Sequence, residues 1–119
     1  MSIEECYQQI GGDYNQVLAR LMTPKLVIRF IGRFLEDNSF SMLEKALAEG
    51  NCKEAFRAAH TLKGVCANLR FTMLKNSASV LTELLRLDSD NIPADAMPAL
   101  DKVTADYQAT VGAIRAYIE

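Results

Sequence analysis

Runs of residues that favour β-strands are missing from this sequence, and helix breakers are scarce, with 6 glycines and 3 prolines among 119 residues. Long helix-compatible segments are what remains, so an all-α fold is expected. A basic excess is missing too. The net charge of -2 gives no reason to propose a nucleic-acid partner, because such proteins usually carry a strongly basic footprint. No apolar run reaches the roughly 18 residues of a membrane span. The opening stretch, MSIEECYQQIGGDY, has acidic residues and no apolar segment of the signal-peptide kind. Neither a membrane nor a secretory route is expected.

Ligand clusters are absent as well. Cys6, Cys52 and Cys66 are odd in number and lack metal-ligand spacing. With one histidine and no clustered cysteines or carboxylates, no metal site is expected. A reduced, cytoplasmic protein fits these cysteines best, and Cys66 reads as a small buried hydrophobe rather than a redox group. There is no glycine-rich phosphate loop and no kinase nucleotide motif. The chain is therefore expected to have no ATP site, no kinase activity of its own and no cofactor.

What is present is a series of amphipathic segments. Half of the residues are hydrophobic, enough for a real core in one domain over residues 1–119. Met1 and a complete set of helices point to a free-standing protein. Ser2 can cap a short helix to about Ile10, which Gly11-Gly12-Asp13 breaks, and Asp13 can cap a second over Tyr14 to Leu21. Thr23-Pro24 opens a helix to about Asp37, with Val27, Phe30, Ile31, Phe34 and Leu35 on one face. Ser39 or Ser41 can cap the next, to Glu49, before the turn at Gly50-Asn51.

Three further helices are read at 52–69, 71–87 and 94–118. The first two of these form an antiparallel hairpin. The third carries Leu100, Val103, Tyr107, Val111, Ile114 and Ile118. A polar loop is read over Asp88 to Pro93. The expected architecture is an up-and-down antiparallel four-helix bundle with short N-terminal capping helices. Segments 24–37 and 39–49 act in it as one long broken helix.

The stretch from Ala55 to Phe71, AFRAAHTLKGVCANLRF, holds the single histidine. At about 100° per residue, Ala55, Ala59, Leu62, Cys66 and Leu69 form one buried stripe. His60 lies off that stripe, beside Lys53, Phe56, Gly64 and Ala67, which predicts an exposed imidazole on a rigid helix. Gly64, one turn on, costs about 1 kcal/mol in a helix interior relative to alanine. It is expected to remove atoms that would crowd the ring. Lys63 is close enough to reach an anion attached to the imidazole. A nucleophilic nitrogen, room for a tetrahedral group and a nearby cation suggest a phosphate acceptor. Lys53, Arg57 and Lys75 add a basic surround suited to an acidic partner. Phe56 either folds over a neighbouring helix or offers that partner an apolar contact.

His60-Thr61-Leu62-Lys63-Gly64, with Ala58-Ala59 before it and Ala67-Asn68-Leu69 after it, resembles the signature of histidine-containing phosphotransfer (HPt) domains. These are four-helix-bundle carriers of phosphorelays. The chain departs from the family pattern at Arg70, where glycine is usual. The resemblance implies that His60 attacks a receiver-domain phosphoaspartate through Nε2 and passes the phosphoryl group to a second response-regulator receiver. It implies receiver domains and a sensor or hybrid histidine kinase as partners, with the divalent metal on the receiver. It also implies a docking face made of Lys53, Phe56, Arg57, Ala67 and Lys75. The alternative is a non-catalytic helical adaptor that binds a signalling protein through the same face.

Overall fold

Four of the helices start where the sequence supplies a side-chain acceptor for the free N–H groups of the first turn. The computed structural model describes residues 1–86 and 91–119. Among them are seven α-helices and no strand: α1 (Ile3–Gln9), α2 (Tyr14–Leu21), α3 (Pro24–Phe34), α4 (Ser39–Ala48), α5 (Cys52–Leu69), α6 (Thr72–Leu85) and α7 (Ala96–Ile118). Ser2 and Glu5 form a reciprocal capping box on α1, with N···O distances of 3.1 and 3.3 Å. Asp13 accepts from the Gln16 N–H, Thr23 from Leu26 and Asn51 from Glu54, at 3.1, 3.2 and 3.1 Å.

The break between α3 and α4 differs from expectation. The α3 helix stops at Phe34 because the N–H groups of Leu35, Glu36 and Asp37 reach back three residues instead of four. That tighter turn places the Asp37 carboxylate on the Ser39 N–H at 2.9 Å. Neither serine caps α4; the Ser41 hydroxyl instead donates to the Asn38 carbonyl at 3.0 Å. The two helices hardly touch each other. The α7 helix begins two residues later than read, because the Ala96 N–H first closes a turn on the Pro93 carbonyl at 3.0 Å. Leu87 and the first half of the expected polar loop, residues 88–90, lie outside the described residues.

Three turns share one form. Gly11, Gly50 and Arg70 each end a helix in the left-handed region, with φ of 61°, 70° and 58°. In each, the residue after the turn donates back five positions, as Phe71 does to Cys66 at 2.9 Å.

The α5 helix lies between α4 and α6, α6 packs on α7, and α1 also rests on α7. Cys52 at the start of α5 meets the Leu85 carbonyl at the end of α6, so the α5–α6 pair is antiparallel. The expected stripe of Ala55, Ala59, Leu62, Cys66 and Leu69 is buried. Phe40 of α4 stacks on Tyr107 of α7 at 4.1 Å, and Phe34 stands edge-on to Phe71. On α7, Ile118 is 46% exposed, contrary to expectation, while Asp106 and Thr110 are buried. Helical bonding makes that polar burial tolerable: the Thr110 hydroxyl donates to the Asp106 carbonyl at 2.8 Å, and Lys102 reaches the Asp106 carboxylate at 2.9 Å.

The N-terminal segment is tied to the turn that ends α5. The Tyr7 hydroxyl donates to the Leu69 carbonyl, and the Asp13 N–H donates to the Arg70 carbonyl, both at 2.9 Å. The Met73 N–H returns a bond to Gly11 at 3.2 Å. These bonds fix the C-terminal end of the histidine helix.

Candidate functional site

The buried stripe of α5 fixes the rotation of the helix, and that rotation leaves His60 exposed. Phe56, one turn earlier, lies nearly parallel to the imidazole, with 6.0 Å between ring centroids and 17° between planes. The Arg86 guanidinium also lies over the Phe56 ring, 5.0 Å from its centroid. Glu83 grips that guanidinium with both carboxylate oxygens, at 3.2 to 3.3 Å. Phe56 is thus half-buried and packs against Arg86 at the end of the neighbouring helix. Arg86 and Glu83 were not read from the sequence as site residues. A signal existed: Phe56 and Arg86 lie about equally far from the turn at Arg70 and Phe71, so the hairpin brings them together.

Lys63 is half-buried and makes no ion pair among the described residues. Gly64 is exposed, and a Cβ built there meets no atom within 4 Å. The expected crowding of the ring is therefore corrected. A Cβ at Gly64 leaves the imidazole untouched and projects into open space.

The basic surround is thinner than the residue count implied. Arg57 is paired with Glu54 at 3.1 Å. Lys53 is exposed without an ion pair among the described residues. Lys75 does not adjoin His60. It lines a recess with Ala67, two turns further along α5. The thiols offer no second nucleophile. Burial, with Asp37 adding to it, pushes the Cys66 thiol far above the ordinary range. Cys52 is buried against the Leu85 carbonyl.

The Hpt domain family model matches residues 30–115. The chain belongs to the Hpt domain family. Hpt domains are histidine phosphotransfer modules of phosphorelays, and that is the class of role this chain has. No curated protein and no solved structure matches the chain. The Hpt match takes in His60, Lys63, Gly64, the expected docking residues, and also Glu83 and Arg86. It leaves out α1, α2 and the first half of α3. Among the described residues no helix is long and apolar enough to cross a membrane.

Proposed function

We propose that the chain is a phosphorelay intermediate with His60 as its phospho-acceptor. The observation that carries this reading is the only histidine of the chain, exposed on α5 within the span of the Hpt match. In the proposed step the lone pair on Nε2 attacks the phosphorus of a receiver-domain aspartyl phosphate. An N–P bond forms, the P–O bond to the aspartyl group breaks, and the carboxylate leaves with the bonding pair. The proton on Nδ1 stays in place. Lys63 supplies a cation to the bound phosphoryl group, and Gly64 keeps the approach open. The receiver supplies the divalent metal and most of the transition-state stabilisation. The same steps run in reverse toward a second response-regulator receiver, with a sensor or hybrid histidine kinase upstream.

In this reading the protein is a cytoplasmic carrier rather than an enzyme, with one domain over residues 1–119. Its walls are α3 with α4, then α5, α6 and α7, as an up-and-down four-helix bundle that α1 and α2 cap. Lys53, Arg57, Ala67 and Lys75 contribute to the docking face, while Phe56 serves mainly as a floor for the imidazole. The test is incubation with phosphorylated receiver domains. Wild type is expected to gain an acid-labile, alkali-stable phosphate, and His60→Gln is expected to gain none. Equal labelling of both removes His60 from the reaction. Receiver binding without any such phosphate selects the adaptor instead.

A further inference from the structure

Arg70 carries two costs that its turn does not require. Its φ of 58° is a backbone conformation that glycine adopts without steric penalty and a residue with a Cβ does not. Its Nε is buried with no hydrogen-bond partner. Buried unpaired donors are rare, and strained residues persist where something else uses them. The turn uses only the Arg70 backbone. The N–H donates to Ala67 at 3.3 Å, and the carbonyl accepts from Asp13 at 2.9 Å. Glycine would make both bonds.

The side chain instead lines a recess of about 250 Å³ with Lys75, Thr72, Gln16, Asp13 and Ala67. Neither Arg70 nor Lys75 has an ion pair among the described residues. Asp13 spends one carboxylate oxygen on capping α2 through Gln16. Two cations against one carboxylate leave a single positive charge, which suits a monoanionic carboxylate better than a dianion. Ala67 is seven residues past His60, about 10 Å along α5 and about 20° around it. A protein that reaches His60 covers this recess in the same footprint. Asp13 and Gln16 precede residue 30, where the Hpt match begins. The recess is thus built partly from the segment that the family match leaves out.

We infer that the recess takes an aspartate or glutamate side chain of the protein that docks over His60, and that Arg70 and Lys75 select partners by it. This rests on the reading of His60 as phospho-acceptor. The guanidinium offers a fork that matches a carboxylate, and Lys75 adds a point charge at its edge.

The test uses the full chain and a panel of receiver domains loaded with acetyl phosphate. The receiver that labels His60 fastest is then varied in concentration. Arg70→Gln and Lys75→Gln are each expected to raise KM about five- to tenfold while kcat holds within about twofold, the size of one hydrogen-bonded contact. Added salt is expected to weaken the wild type more than the double variant. Arg70→Gly is expected to raise KM by the same factor while it raises the melting temperature, so lost docking is separated from lost fold. KM values within about twofold of wild type in both glutamine variants overturn the inference and leave the carrier reading standing. A panel in which no receiver labels His60 overturns both.

Discussion

His60 lies nearly parallel to Phe56, and Arg86, held by Glu83, lies over the Phe56 ring. The Arg86–Glu83 pair is half-exposed, so it adds little to stability. Its effect is to limit where the aromatic ring can go, and through it the imidazole. Because there is a single histidine, its ring protons are unambiguous in a proton NMR spectrum. They are expected to be displaced from free-imidazole positions through the ring current of Phe56. Phe56→Leu is expected to abolish that displacement. Arg86→Gln is expected to reduce it while changing stability by less than about 0.5 kcal/mol. Free-imidazole positions in the wild type would mean that the two rings do not stack in solution.

Gly64 gives the second prediction at this scale. A Cβ there meets nothing, so Gly64→Ala is expected to stabilise the helix by up to about 1 kcal/mol and to slow transfer from a receiver. A more stable variant with undiminished transfer removes the approach argument. The periodicity of α5 was enough to place His60 and Gly64 on one exposed face, with the half-buried Lys63 at its edge. Arg86 was missed because helical phase describes one helix, and nothing in that phase says which residue of a neighbour lies across from it.

Among the elements, α1, α2 and the α5–α6 turn meet closely at Gly12. A Cβ at Gly12 would lie 2.8 Å from the Arg70 carbonyl oxygen and 2.8 Å from the buried ring of Tyr7. One obstacle is backbone and the other is core, so neither yields cheaply. Gly12→Ala is expected to destabilise by about 1 to 3 kcal/mol, read as a lower urea midpoint. Gly112, exposed in the middle of α7 with nothing near its missing Cβ, is the control. There alanine is expected to stabilise by up to about 1 kcal/mol. Equal effects at the two sites would show that the junction is loose.

Helix starts were legible where one side chain caps its own helix, as at Ser2, Asp13 and Thr23. At the α3–α4 break the interruption and the start of α4 at Ser39 were legible, but the early end of α3 and the cap were not, because Asp37 serves the Ser39 N–H only once the preceding turn has tightened. The left-handed turn at Arg70 is half legible. The need for a stop between two helices is in the pattern, but the docking of Asp13 on that carbonyl is a contact between segments far apart in the chain.

Across the whole molecule, the hydrophobic half of the sequence was enough to foresee a helical core, but not its polar members. Asp106 and Thr110 face inward on α7, where the pattern of apolar residues had placed Ile118. Geometry decides this, since a side chain at the end of a long helix can run past the core it was expected to cover. The buried thiols allow a test of how dry that core is. Cys6 and Cys66 have no exposed surface, and burial raises both above the ordinary thiol value. Below about pH 8.5, the value for a free thiol, both groups are protonated in the folded and unfolded chains alike and contribute no pH dependence. Above it, the unfolded chain releases these protons while the folded chain keeps them, so stability falls as pH rises. A thiol that stays protonated in the folded chain contributes a slope of up to roughly 1.4 kcal/mol per pH unit. Tyr7, also raised by burial, adds to the decline above about pH 10. Urea denaturation under reducing conditions from about pH 8 to 10 is expected to show this fall. Cys66→Ala shifts the starting stability through the volume it removes, but the slope is independent of that shift and is expected to lose one proton's share. A profile that stays flat through this range in the wild type would mean that the thiols titrate in the folded state. In that case water reaches the inner face of α5, and the rotation that presents His60 is not fixed by a sealed core.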